Sequence, residues 1–456
     1  MRRQLWTVGR VFFVIAAMVA VLPGEAQLPA RTAATDAEVL GLMRAEKLDL
    51  ILPGAMRDNG VDMWIHVTRP GVSDPLALQF GRTAGYLIFT DLGDRIERAV
   101  FGSGGAVEKI DVRGSAELGL AISGYDHRPG VYDEITAFVA ERDPQTIAVN
   151  TSSWLPVADG ISYSEYLKLE TILGPEYSER IVSAENLILD FLLRRTSREV
   201  AAQVEVLALA RQTAKESLAR VVPGVTTIAD INARVYYSAV NTPDKTVAVS
   251  QPDVRWFIHN PNYILQRGDL FVGGGGGGGG YLGFGVDTKI HAYILREGET
   301  KVPEFIQEVF DLAIAGQWIM RDHMRVGMTA EESLDATVEA MQEAGYIYTP
   351  FRDIGTQDYV MIQEALAGTD APGFSIDNHA FGNYGDIGPS MAAFRSDTHH
   401  LVIQDNHLFA FEYMVHKNIA ERPGYPLAFN ISNPQLITSR GVEFIQPPNE
   451  EIFLIR

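Results

Sequence analysis

The sequence predicts an α/β domain followed by an α+β domain, and three observations carry that expectation. Short apolar runs alternate with helical segments between about residues 37 and 180. A stretch almost free of Gly and Pro then begins near Ile181 and changes the texture of the chain. Beyond it come amphipathic helices, and then a return to strand-like segments over 373–456.

At 456 residues the chain is long enough for roughly two to three domains and a large core. Apolar content of 46% and charged content of 21% is an ordinary globular balance, so a disordered chain is not indicated. The net charge is −20, from 58 acids against 38 bases. Nucleic acid and anionic membranes both select basic patches, so neither is expected as a partner. There is no cysteine, which excludes disulfides, zinc-thiolate sites, thiol nucleophiles and a lipidated N-terminal cysteine.

In chain order, Arg2, Arg3 and Arg10 precede a 12-residue apolar run from Val11 to Leu22, and Gly24 and Ala26 supply small residues beyond it. That order reads as a secretory signal over residues 1–26, cut after Ala26. The run is short for a membrane span. The expected product is exported, periplasmic or secreted, with no membrane attachment after cleavage. Residues 27–36 read as a linker. From Asp36 the pattern turns helical through Val39, Leu40, Leu42 and Met43, and Pro53 is expected to end it.

Strand-like runs follow at 63–67, 86–90, 95–101 and 146–150, with a helix expected over 133–142. His66 lies inside the first of these runs and reads as a satisfied histidine rather than a ligand. The boundary is placed near residue 185, giving domains over 37–185 and 186–456. Leu192, Val200, Val204, Leu207 and Leu218 are spaced to form one apolar helical stripe. A second amphipathic helix is expected from Ile228 to about Ala239. Another spans Pro303 to Met324, with Pro303 near its start, where a missing N–H costs little. Thr329 and Glu332 then form a capping-box pair, and Gly345 closes the helix they start.

The stretch from Gly268 to Tyr293 reads as a hairpin interrupted by eight glycines, Gly273 to Gly280. Nucleotide-binding loops space their glycines and then open a helix; this run does neither. Each glycine in a strand interior costs roughly 0.5–1 kcal/mol relative to alanine, so the run contradicts the core hairpin around it. Asp287, in GFGVDTK, projects from the returning arm. Glu412, in LFAFEYMV, is a carboxylate in an apolar strand and needs a buried partner. His379 sits in NHAFGNYGDIGP. His399, His400, His407 and His416 lie in polar surroundings and read as surface histidines.

These three segments resemble the metal-binding segments of the creatinase/aminopeptidase, or pita-bread, superfamily, and most nearly those of Xaa-Pro aminopeptidases and dipeptidases. The resemblance covers most of 37–456. It implies a creatinase-like N-terminal domain concerned with shape and oligomer contacts, and a pita-bread C-terminal domain with long helices over a bent sheet. Asp190 to Arg195 matches the crossing between them. It also implies a homodimer, a peptide substrate with proline at its second position, and a pair of divalent ions (Mn, Co or Zn) held by two aspartates, a histidine and two glutamates. Asp287, His379 and Glu412 match the second aspartate, the histidine and a glutamate.

The other positions depart from the pattern. The first aspartate falls at Gly274 counting from Asp269, or at Gly276 counting back from Asp287. The last glutamate falls at Ser432, in ISNPQLIT, with the equally neutral Asn433 beside it. The family's proton-shuttling histidine falls at Asp386, and His259 lies near the place of a substrate-contacting histidine. Asp386 and His259 are therefore the candidate catalytic positions. The expectation is an exported Xaa-Pro hydrolase with weak or partial metal occupancy and impaired activity. The alternative is an inactive descendant that binds a peptide or a partner.

Overall fold

The structure, a computed structural model, describes residues 33–81, 83–104, 109–239, 260–273, 283–350, 356–381 and 387–456. The signal segment, His259, Gly274 to Gly280 and Asp386 lie outside the described residues.

The alternating N-terminal segments form a six-stranded mixed sheet. Its strands are β1 (Met63–Thr68), β2 (Thr83–Asp91), β3 (Ile96–Gly104), β4 (Asp111–Arg113), β5 (Ile147–Val149) and β6 (Ile181–Ser183), in the order β4-β3-β2-β1-β5-β6. β1 is buried on both faces, which is why its sequence is a continuous apolar run rather than an alternation. Met63, Ile65 and Val67 pack with Phe138 and Leu169 on one side; Trp64 packs with Phe80 and Phe191 on the other. His66 is a core histidine, as its position suggests, with Nε2 3.1 Å from Asp74 Oδ1, while its buried Nδ1 has no hydrogen-bond partner among the described residues.

Four local expectations are corrected. The N-terminal helical segment starts at Ala33, inside the expected linker, and continues through a π-turn, Lys47–Ile51, into Leu52–Asp58. Pro53 lies in the first turn of that last helix, where a proline is tolerated, and does not end the segment. The long apolar stripe is broken, because Glu185–Leu193 and Ser197–Leu218 are separate helices. Thr196 restarts the second helix with a capping box to Glu199. The helix expected from Ile228 stops at Ile231, where Asn232 turns left-handed at φ +48°. The β-branched and aromatic residues that follow form a strand, β7 (Arg234–Tyr237). His407 and His416, expected at the surface, are 1% and 0% exposed.

The rest of the chain builds two more sheets. β7, β8 (Leu270–Gly273), β9 (Ile290–Ile294) and β16 (Phe453–Ile455) form one, in the order β16-β9-β8-β7. Within it β8 and β9 make the expected antiparallel pairing, with Gly273 across from Ile290. A Cβ on Gly273 would fall 2.7 Å from Leu218, so this first glycine of the run has a packing reason. β10 (Ile347–Tyr348), β11 (Gly373–Ile376), β12 (His379–Ala380), β13 (His407–Lys417), β14 (Leu427–Thr438) and β15 (Gly441–Phe444) form the other. Two helices, Glu304–Arg321 and Ala330–Glu343, start near the expected residues, the second on the Thr329–Glu332 capping box. The first covers one face of β13 and β14, where Tyr413 donates to Ala313 O at 2.6 Å and Asn433 to Gln317 at 2.7 Å. The other face of those strands is left to the candidate site. No helix among the described residues is long and apolar enough to cross a membrane.

Candidate metal centre

Asp287 is placed by the segment that leads into β9. Phe284 is buried against Met43, Ala202 and Val206. Gln203 Nε2 donates to Gly285 O at 2.8 Å, and Arg211 Nε donates to Thr288 Oγ1 at 3.4 Å. The helix Ser197–Leu218 thus clamps the residues on either side of Asp287. His379 comes from β12, across from Ala410 of β13. Glu412 lies midway along β13, directly across from Ser432 of β14.

The ligand atoms of Asp287, His379 and Glu412 all lie within 4.8 Å of one another. His379 Nε2 is 3.8 Å from Glu412 Oε2, and its Nδ1 is 3.2 Å from Ala380 O. A carbonyl only accepts, so this contact puts a proton on Nδ1, and Nε2 is the ring nitrogen that faces the carboxylates. Two carboxylates and an imidazole are an appropriate donor set for one divalent ion.

A residue that sequence reasoning missed stands among them. Lys289 Nζ is 2.5 Å from Glu412 Oε1 and 3.5 Å from Asp287 Oδ1, with its side chain only 13% exposed. The signal was present: Lys289 is two residues from Asp287 in an extended segment, so both side chains share a face. Asp377 was missed for the same reason, standing two residues before His379. Its backbone N–H donates to Glu412 O at 2.9 Å, and its buried Oδ1 has no hydrogen-bond partner among the described residues.

The electrostatics follow from burial and these contacts. Burial pushes Asp287 up to about 6; the Glu412 charge adds to this and Lys289 opposes it. Burial pushes Asp377 up to about 7, again with Glu412 adding. Burial alone would raise Glu412 as well, but the Lys289 ammonium and His379 hold it well below the usual carboxylate range. Burial alone would lower Lys289, and the two carboxylates more than reverse that, so it stays charged.

Ser432 turns its Oγ toward Asp287 O at 3.3 Å, whereas Asn433 points into the helix layer. Ser432 is thus the β14 residue directly across from Glu412, and it brings no charge. His407 is an odd-numbered residue of β13 and Glu412 an even one, so they lie on opposite faces and His407 is not in the site. His416 shares the Glu412 face but bonds Thr349 Oγ1 at 2.9 Å, further along the strand.

Solved structures place this architecture. An X-Pro aminopeptidase from Thermotoga maritima aligns with 88% of this chain and all of its own length, at TM-score 0.56 and 13% identity. A dipeptidase from Pyrococcus horikoshii aligns with 91% of this chain at TM-score 0.52 and 11% identity. An Xaa-Pro dipeptidase from Bacillus anthracis also covers 91% of it, at 0.51 and 16%. The chain has the pita-bread fold. The N-terminal α/β layout and the helix-covered C-terminal sheet expected from the sequence are both part of it. No family model and no curated protein matches the chain.

The pair of divalent ions that the sequence resemblance implies fits the residues here only in part. Asp287, His379 and Glu412 have the chemistry to hold one ion. Lys289 Nζ approaches the same two carboxylates, at Glu412 Oε1 and Asp287 Oδ1. A second ion would need a further carboxylate, and the strand position across from Glu412 carries Ser432.

Proposed function

We propose that this chain is an exported peptidase-like pita-bread protein of the Xaa-Pro aminopeptidase/dipeptidase type, in which hydrolysis of an N-terminal Xaa-Pro bond is strongly impaired. The observation that carries this reading is the convergence of Asp287, His379 and Glu412 within 4.8 Å in the fold of the Xaa-Pro hydrolases. Asp287, His379 and Glu412 would hold one Mn, Co or Zn ion at partial occupancy; when bound, such an ion acidifies a water and polarises the scissile carbonyl. The protein groups do less. The Lys289 ammonium is engaged by Glu412 and cannot take a proton, and Ser432 is neutral. The substrate of this reading is a peptide with proline at its second position, taken by a homodimer.

Hydrolysis of an Ala-Pro dipeptide by the purified chain, with Mn²⁺ or Co²⁺ added stepwise, tests it. Slow, metal-dependent release of alanine that disappears in Asp287→Asn supports the reading. An ordinary family rate without added metal contradicts it. The second reading, a catalytically silent pita-bread protein that binds a peptide or partner, is favoured by the ion pairing of Lys289 inside the triad. Under that reading no alanine is released, while calorimetry still detects the dipeptide binding.

A further inference from the structure

We propose that Lys289 is the resident cation of this centre, its ammonium standing where a divalent ion would stand between Asp287, His379 and Glu412. The inference rests on the Xaa-Pro-type reading only for which residues would hold an ion.

Four features support it. The ammonium approaches both ligand carboxylates, at 2.5 Å from Glu412 and 3.5 Å from Asp287. All three side chains are largely withdrawn from solvent, at 13%, 16% and 16% exposure, so this is not a pair of solvated surface charges. The lysine backbone is anchored as well. Its carbonyl accepts from Asn449 Nδ2 at 3.3 Å, and the next residue, Ile290, begins β9. The neighbouring strand adds a donor to the anion, Asn430 Nδ2 to Glu412 Oε1 at 3.2 Å, while Ser432 Oγ donates to the backbone carbonyl of Asp287 at 3.3 Å. Glu412 Oε1 therefore already accepts from two N–H donors, and an ion bound at that oxygen would have to displace them. Two carboxylates and one ammonium sum to a net −1 (−2 + 1), which is little to attract a dication.

The arrangement makes an unusual demand: removing a cationic side chain should create a metal site. The full chain and its Lys289→Met variant are titrated with Co²⁺, read by visible absorption and by the unfolding temperature. The unsubstituted chain should show no saturable uptake below millimolar Co²⁺. Lys289→Met should take up one Co²⁺ per chain at least about 100-fold more tightly, with a raised unfolding temperature, and should lose that uptake when Glu412→Gln is added. If Lys289→Met folds only with Co²⁺ present, that also supports the proposal. If it fails to fold even then, Lys289→Gln, which keeps a polar group of similar length, is read by the same criteria. Tight uptake by the unsubstituted chain overturns the proposal, as does a folded Lys289→Met or Lys289→Gln variant that takes up none. Peptide cleavage is not read in this experiment. Uptake by the unsubstituted chain would sink the lysine assignment and leave the Xaa-Pro reading standing, and absent turnover would do the reverse.

Discussion

Lys289 and Glu412 come from different sheets and meet at 2.5 Å: one directly precedes β9, the other is midway along β13. The contact joins two layers of the C-terminal fold through buried charges of opposite sign. Removing one partner of such a pair strands the other. Glu412→Gln should therefore destabilise the protein by about 3 kcal/mol, the low end of the range for a broken buried pair, because part of the carboxylate still meets solvent. Urea unfolding of the two proteins checks this. A loss below about 0.5 kcal/mol would mean that the pair is a solvated one.

A second buried charge cluster holds the N-terminal helical segment to the long helix of the C-terminal half. Lys47 Nζ is 3.1 Å from Glu199 Oε2, and Arg195 Nη1 is 3.4 Å from Glu199 Oε1. Lys47 also donates to Arg194 O at 2.6 Å. Glu199→Ala would leave two buried cations facing each other and leave the Thr196 backbone N–H, which donates to Glu199 Oε2 at 2.8 Å, without its acceptor. The expected loss is about 3–5 kcal/mol, measured as a lower urea midpoint at an unchanged slope. A midpoint equal to that of the unsubstituted protein would show that the cluster is not buried in solution.

His416 gives the pH dependence its cleanest handle. Burial lowers it to about 3, so it is neutral in the folded chain. The unfolded chain titrates near its ordinary value of about 6.5 and binds more protons below that pH. A depressed folded pKa means stability that is complete above about pH 6.5 and is lost as pH falls toward the folded value. From about pH 7 to about pH 5 this histidine alone should cost roughly 2 kcal/mol. The His416→Gln variant should lose less stability over that interval by about this amount. Parallel stability-versus-pH curves for the two proteins would contradict the assignment.

Export is tested on the cell product. The order of Arg2, Arg3 and Arg10, the apolar run and Ala26 predicts a mature chain beginning at Gln27. Intact-mass analysis of periplasmic or secreted protein should show the loss of residues 1–26; a chain still starting at Met1 would contradict it.

What the sequence revealed depended on how far apart the interacting residues were. Strands β1, β2, β3 and β5 of the first sheet, the helix Asp133–Arg142 and the capping box at Thr329 are written in local patterns and form where those patterns predict, whereas the three-residue edge strands β4 and β6 gave no such signal. The convergence of Asp287, His379 and Glu412 brings together residues 33 to 125 positions apart, and only a resemblance could suggest it. Lys289 was missed although it is next but one to Asp287, because a lysine reads as solvated until the carboxylate that buries it is in view. His407 and His416 misled in the opposite sense: their neighbours are polar, but they lie in the most heavily paired strand of the fold. The helix expected after Ile228 failed at Asn232, where one left-handed residue outweighed an amphipathic pattern.

The central claim is that this centre carries its cation in the chain itself. The most direct measurement is the metal content of the purified full-length protein, by elemental analysis after dialysis against metal-free buffer. The account predicts well below one Mn, Co or Zn ion per chain. One tightly held ion per chain would contradict it, and two would in addition require ligands beyond Asp287, His379 and Glu412.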